Sequence, residues 1–157
     1  MSALALKGRD NARTPMQWHA GPHAGFTTGV PWLPANPNHV EVNAAAALAD
    51  PSSVFHHYRA LIALRHHHPL VVDGRFELLL PEHRQLWVIV RRDPADPTHL
   101  LLVVANCSSR PVQPDAGDLP PLDGARVLLA THPGRSGPEL LPWESRVLEL
   151  RGDTRRE

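Results

Sequence analysis

The sequence predicts a mainly β chain, an antiparallel β-sandwich preceded by an N-terminal helix and a long loop. Three observations predict it. After residue 70, short apolar runs recur between Gly and Pro turns at sandwich spacing. Between residues 50 and 65, apolar residues fall at the spacing of one helix face. Before that, residues 8–43 carry no sustained period of either two or 3.6. The reading divides the chain into residues 1–69 and residues 70–157.

Length and composition bound the answer. A chain of 157 residues makes one domain, or a small domain with an appendage, and buries one core of moderate size. A complete (β/α)8 barrel takes roughly 200 residues or more and does not fit. The formal net charge is zero, which gives no electrostatic argument for nucleic acid or for an anionic membrane as a partner. Seventeen prolines and ten glycines demand many turns and argue against a helical bundle. Cys107 is the single cysteine, so no intrachain disulfide forms, and a cytoplasmic location is the default expectation. No run approaches the roughly 20 apolar residues that span a bilayer.

Residues 1–7 read as a short lead. Next comes Gly8-Arg9-Asp10-Asn11-Ala12-Arg13-Thr14-Pro15-Met16-Gln17-Trp18. Pro15 removes a backbone donor and pushes Thr14 toward extended geometry, so this is a structured loop with polar side chains to aim. An arginine fork and a flat indole suit a carbohydrate site. Residues 19–43 form a long irregular loop, in which Val40 and Val42 suggest a very short extended piece. Residues 44–49 are alanine-rich and favour a turn of helix.

Asp50 is the clearest helix start, with Pro51 at the first helical position and Ser52 and Ser53 in the first turn. Val54, Phe55, Tyr58, Leu61, Ile62 and Arg65 line one face, and Pro69 stops the helix. From residue 70 the pattern turns to strands. Asp73-Gly74 is a turn, 75–80 a strand and 85–92 a second one. Residues 93–98 carry two Asp-Pro pairs and must turn. The near-continuous apolar run 99–105 predicts a central strand. Residues 108–112 begin another, 125–131 is a strand, and 140–150 supplies one or two more.

The stretch Arg9 to Trp18 resembles a signature loop of α-glucosidases and oligo-1,6-glucosidases in the α-amylase superfamily. The match continues through Ala24-Gly25-Phe26-Thr27-Thr28-Gly29, Pro31-Trp32-Leu33-Pro34 and Asn36-Pro37-Asn38. It runs on through Asp50-Pro51-Ser52-Ser53-Val54-Phe55 and Tyr58-Arg59-Ala60-Leu61-Ile62-Ala63-Leu64-Arg65. His19 departs from the pattern, which carries an acidic residue there. The resemblance implies that residues 1–69 are the late part of a catalytic barrel, ending in its last helix. The strands would then be the small C-terminal β domain. It implies that Arg13 lines the innermost glucosyl subsite. Asp10, set between Arg9 and Arg13, and Trp18 read as support for the loop.

The resemblance also implies that the catalytic carboxylates lie on earlier barrel strands. None of Asp10, Glu41, Asp50, Asp73, Glu77 or Glu82 falls in those motifs, so no catalytic residue is assigned. The implied function is the C-terminal portion of an α-glucosidase, inactive alone, taking an α-glucoside only when a barrel completes it. The alternative is a stand-alone carbohydrate-binding or self-associating sandwich. No cofactor is implied. The histidines give no metal pattern, because His56 and His57 are adjacent and His66, His67 and His68 consecutive. Trp18 and Trp32 could stack on sugar, but burial against the barrel underside or the β domain is the expectation. The expected partner is a missing barrel chain or a second copy, meeting the apolar face of the Asp50 helix.

Overall fold

The computed structural model describes residues 13–115, 117–135 and 137–152. The chain divides into two compact units after Arg59, within a helix.

The first unit is mostly loop, organised by side-chain amides. It contains a tight turn at Pro22–Gly25, a 3-10 turn at Pro37–Val40 and the helix α1, Ala44–Ala49. The amides of Ala44 and Ala45 donate to the carbonyls of Gln17 and Trp18 at 2.8 and 3.0 Å. The Asn43 side chain accepts from the Ala46 amide at 2.9 Å. Three of the donors that a helix start leaves open are thereby satisfied, two of them by the signature loop. The extended piece expected around Val40 and Val42 is not formed. Pro37 at the first position and the Asn36 side chain on the Asn38 amide nucleate a 3-10 turn instead.

The helix α2 spans Val54–His67. It starts later than the sequence suggested. Asp50 closes α1, and its carboxylate accepts from the Ser52 amide at 2.8 Å, forming a local turn that postpones the helix. The first α2 bond runs from the His57 amide to the Ser53 carbonyl at 3.1 Å. Pro69 stops α2 as expected but also opens a short helix not foreseen, α3, Pro69–Asp73.

The second unit is built on a five-stranded antiparallel sheet. Its strands are β1, Arg75–Leu79; β2, Leu86–Arg92; β3, Leu100–Asn106; β4, Arg126–Ala130; and β5, Ser145–Leu150. Their order is β1-β2-β3-β5-β4, so β3 is central, as its apolar run implies. One face carries Leu86, Val88 and Val90, then Leu100, Leu102 and Val104, then Leu148 and Leu150, all buried. The segment between β3 and β5 folds over this face and adds Leu140, Val112 and Leu119. The strand expected at 108–112 and the earlier one expected within 140–150 shrink to one bridge, Val112 to Leu140. Side-chain bonds from Asn106 and Arg146 occupy the surrounding carbonyls instead, and the Glu144 carboxylate takes the Leu141 amide.

On the opposite face α3 packs over β2 and β3, where Leu70 and Leu101 are buried. Arg91 clamps it there, donating to the carbonyls of Leu70 and Val72 at 3.3 and 2.6 Å. Gly74 permits the close approach, since a Cβ at that position would lie 2.6 Å from the Leu70 carbonyl oxygen.

Glu144 has no exposed surface. Its carboxylate accepts from the Leu141 amide and from Arg146 Nε, both at 2.7 Å. Burial pushes the carboxyl up, but the amide and the guanidinium outweigh that and hold it below its ordinary value of 4.5. A depressed carboxylate contributes stability above the unfolded value and loses it as pH falls through the folded one. Replacing Glu144 by Gln strands a buried guanidinium and is expected to cost about 3–5 kcal/mol at neutral pH. In urea melts the gap between wild type and variant narrows as pH falls below 4.5. A gap independent of pH would contradict the assignment.

Candidate functional site

The described end of the loop that carries the sequence signature is tied down through its backbone, while Arg13, Met16 and Trp18 are exposed. The amides of Trp18 and His19 both donate to the Ala24 carbonyl, at 2.8 and 3.2 Å. The Gln17 side chain donates to Asn38 Oδ1 at 3.0 Å and to the Val42 carbonyl. His23, Ala24 and Gly25 take the left-handed conformation in succession, with φ of 50°, 57° and 69°. For the two non-glycine residues that costs about 1–2 kcal/mol each, and such strain concentrates where a loop must present groups. The His19 imidazole lies against this turn, and a Cβ on Gly25 would stand 2.3 Å from its Nε2. His19, the departure from the family pattern, is thus a loop-packing residue whose Nδ1 accepts from the Gly21 amide at 3.0 Å.

Arg13, the first of the described residues of this loop, is exposed. Trp18 is 52% exposed and Trp32 97% exposed. Trp18 supports the loop through its main chain, by the bonds to Ala24 and to the start of α1. Asp10 lies outside the described residues. Phe26, half exposed, lies beside Thr27, Thr28, His19 and His23 around a shallow recess.

A second cluster lies in the sheet unit, and sequence reasoning missed it. Glu149 on β5 sits in a cross-strand row with Leu101 and Arg126. Its Oε1 meets His99 Nε2 at 2.9 Å and His68 Nε2 at 3.2 Å. Its Oε2 receives Arg126, Nη2 at 2.5 Å and Nε at 3.1 Å. Arg151 reaches Oε1 at 3.2 Å. Burial raises the carboxyl, but Arg126, the two imidazoles and Arg151 bring it down to about 2. His99 Nδ1 lies 3.4 Å from an Asp93 carboxylate oxygen. Separations of 81 and 50 residues hide the cluster from any local motif. The sole hint in the sequence is an acid placed among the apolar residues of the last strand.

Residues 1–74 match the family described as "Alpha amylase, catalytic domain". An oligo-1,6-glucosidase of Heyndrickxia coagulans is 42% identical over 151 residues, covering 96% of this chain and 26% of that protein. The trehalose-6-phosphate hydrolase of Escherichia coli is 48% identical over 114 residues, covering 73% of this chain and 20% of that protein. Among solved structures, the Bacillus licheniformis trehalose-6-phosphate hydrolase superposes with a TM-score of 0.83 at 33% identity, over 96% of this chain and 28% of that one. The chain thus spans about a quarter of the length of the curated relatives it matches. Its five-stranded sheet matches the C-terminal β domain of such enzymes. The chain therefore belongs to the α-amylase family, as a C-terminal portion of an oligo-1,6-glucosidase-like member.

Proposed function

We propose that this chain is the C-terminal part of an enzyme that hydrolyses α-glucosidic bonds, and that it turns over no glucoside by itself. The carrying observation is that identity to an oligo-1,6-glucosidase extends along 96% of this chain yet spans 26% of that protein. In this reading Arg13 lines the innermost glucosyl subsite, and Asp10 and Trp18 hold its loop. The rest of the catalytic domain supplies the reacting carboxylates.

The carboxylates in hand support that division. Retaining hydrolysis uses a nucleophile and a general acid roughly 5 Å apart, the acid with a raised pKa. Glu144 and Glu149, the buried ones among the described residues, are both tied to arginine and both shifted down. Asp50 and Asp96 are held low by the hydroxyls and amides of Ser52 and Thr98, and Asp93 by the Ala95 amide. These are structural settings rather than those of a proton donor.

The exposed stripe of α2 favours a second property. Val54, Tyr58 and Ile62 are 72%, 62% and 54% exposed, and Phe55 and Leu61 are also open. The helix lies within the segment that matches the catalytic domain, which supports a reading in which its stripe packs against the rest of that domain. Burying each large apolar side chain is worth about 1.5–3 kcal/mol, which drives the isolated chain to pair with a second copy.

Two measurements test these readings. The purified chain is expected to release no chromophore from a chromogenic α-glucoside. Activity that survives purification and vanishes in Arg13→Ala would overturn the first. Sedimentation equilibrium at about 50 µM, an ordinary concentration for weak interfaces, is expected to give a dimer that Leu61→Asp dissociates. A clean monomer would remove the second.

A further inference from the structure

We propose that His68, His99 and Glu149 form a binding site for a zinc-type divalent cation that ties the helical entry segment to the sheet. The three ligand atoms lie within 4.8 Å of one another, one from the α2–α3 junction, one from the β2–β3 turn and one from β5. All three side chains are largely withdrawn from water, at 14%, 14% and 6% exposure. Two imidazoles and one carboxylate make a donor set suited to zinc and poorly suited to magnesium or calcium.

Each ligand is fixed by its backbone. The His68 amide donates to the Leu64 carbonyl at 2.9 Å, closing α2, and its carbonyl accepts from the Val71 amide, opening α3. His99 closes the β2–β3 turn, with its amide on Asp96 and its carbonyl on the Asp93 amide, at 3.0 and 2.9 Å. Glu149 is held in register between β3 and β4. The two edges to Oε1, at 2.9 and 3.2 Å, lie within about 0.5 Å of the roughly 3.3 Å between ligand atoms around a tetrahedral zinc. Behind His99 stands Asp93, the carboxylate–histidine–metal arrangement that orients a ligating ring. His68 Nδ1 is buried with no hydrogen-bond partner among the described residues, so the ring gains nothing there and Nε2 is its working atom.

The two arginines divide the opposing electrostatics between them. Arg126 occupies Oε2 and leaves Oε1 to the imidazoles, the position of an outer partner to a ligating carboxylate. Arg151 shares Oε1 through longer contacts of 3.2 and 3.4 Å. Its side chain is 69% exposed and free to swing out to water. Arg151 is therefore the group that a cation displaces.

Equilibrium dialysis of the chelator-stripped chain against Zn2+, followed by elemental analysis, tests this. The expected result is one zinc per chain, unaffected by excess Mg2+ or Ca2+. His68→Gln and His99→Gln should each abolish stoichiometric binding, and Asp93→Asn should weaken it by roughly 10–100-fold. Arg151→Ala should tighten it, and the surface pair His66→Gln with His67→Gln should leave it unchanged. Circular dichroism checks that each variant folds. Should His99→Gln fail to fold, zinc X-ray absorption of the wild-type chain decides, with two imidazoles and carboxylate oxygen expected. No stoichiometric zinc, binding that survives loss of both His68 and His99, or a shell without two imidazoles would overturn the proposal.

Discussion

The β domain closes around one buried carboxylate. Glu144 precedes β5 and has no contact with water, so its charge survives only because each oxygen is answered from inside the fold. Its partner Arg146 is itself buried and spends its remaining donors on the carbonyls of Gly137 and Glu139. The backbone carbonyl of Glu144 accepts from the Asn106 amide at 2.8 Å, and Asn106 Nδ2 donates to the carbonyls of Arg110 and Leu141. The end of β3, the long crossing segment and the start of β5 are thus joined by one polar network beneath the apolar layer. The segment over the core forms only one β-bridge, and these side chains satisfy the backbone groups that a longer ladder would have paired.

The first unit solves the same problem with neutral amides. Gln17, Asn36, Asn38 and Asn43 bond to one another and to nearby main chain, and the signature loop caps α1. Backbone groups are used inward, which leaves Arg13 and the aromatic side chains facing outward. A loop built this way has its outward groups free for the glucosyl subsite proposed above. His23 and Ala24 hold the left-handed conformation in this loop, and the apolar stripe on α2 is exposed.

Much of the fold was legible because its signals are local. The apolar run 99–105 became β3, the Ala run became α1, and Pro69 ended α2. The misses share a cause. Asp50, followed by Pro51, carries both a capping and a turn signal, and the turn won because Ser52 offers its amide and hydroxyl together. The strands expected at 108–112 and early in 140–150 lost their ladder to side-chain bonds that no periodicity reveals. The family was legible in the loop motif. The cluster at Glu149 depends on pairing across three strands and a helix junction, which no spacing rule reaches.

The central claim is that this chain supplies the C-terminal part of an α-glucosidase site and that the carboxylates come from the rest of the domain. The direct measurement is α-glucosidase turnover by an oligo-1,6-glucosidase relative in which this chain replaces the matching quarter. The account predicts a folded, active hybrid whose kcat/KM falls at least about 100-fold in Arg13→Ala, a loss of more than about 2.7 kcal/mol of transition-state stabilisation. A hybrid that folds but is inactive, or whose activity is indifferent to Arg13, would contradict it.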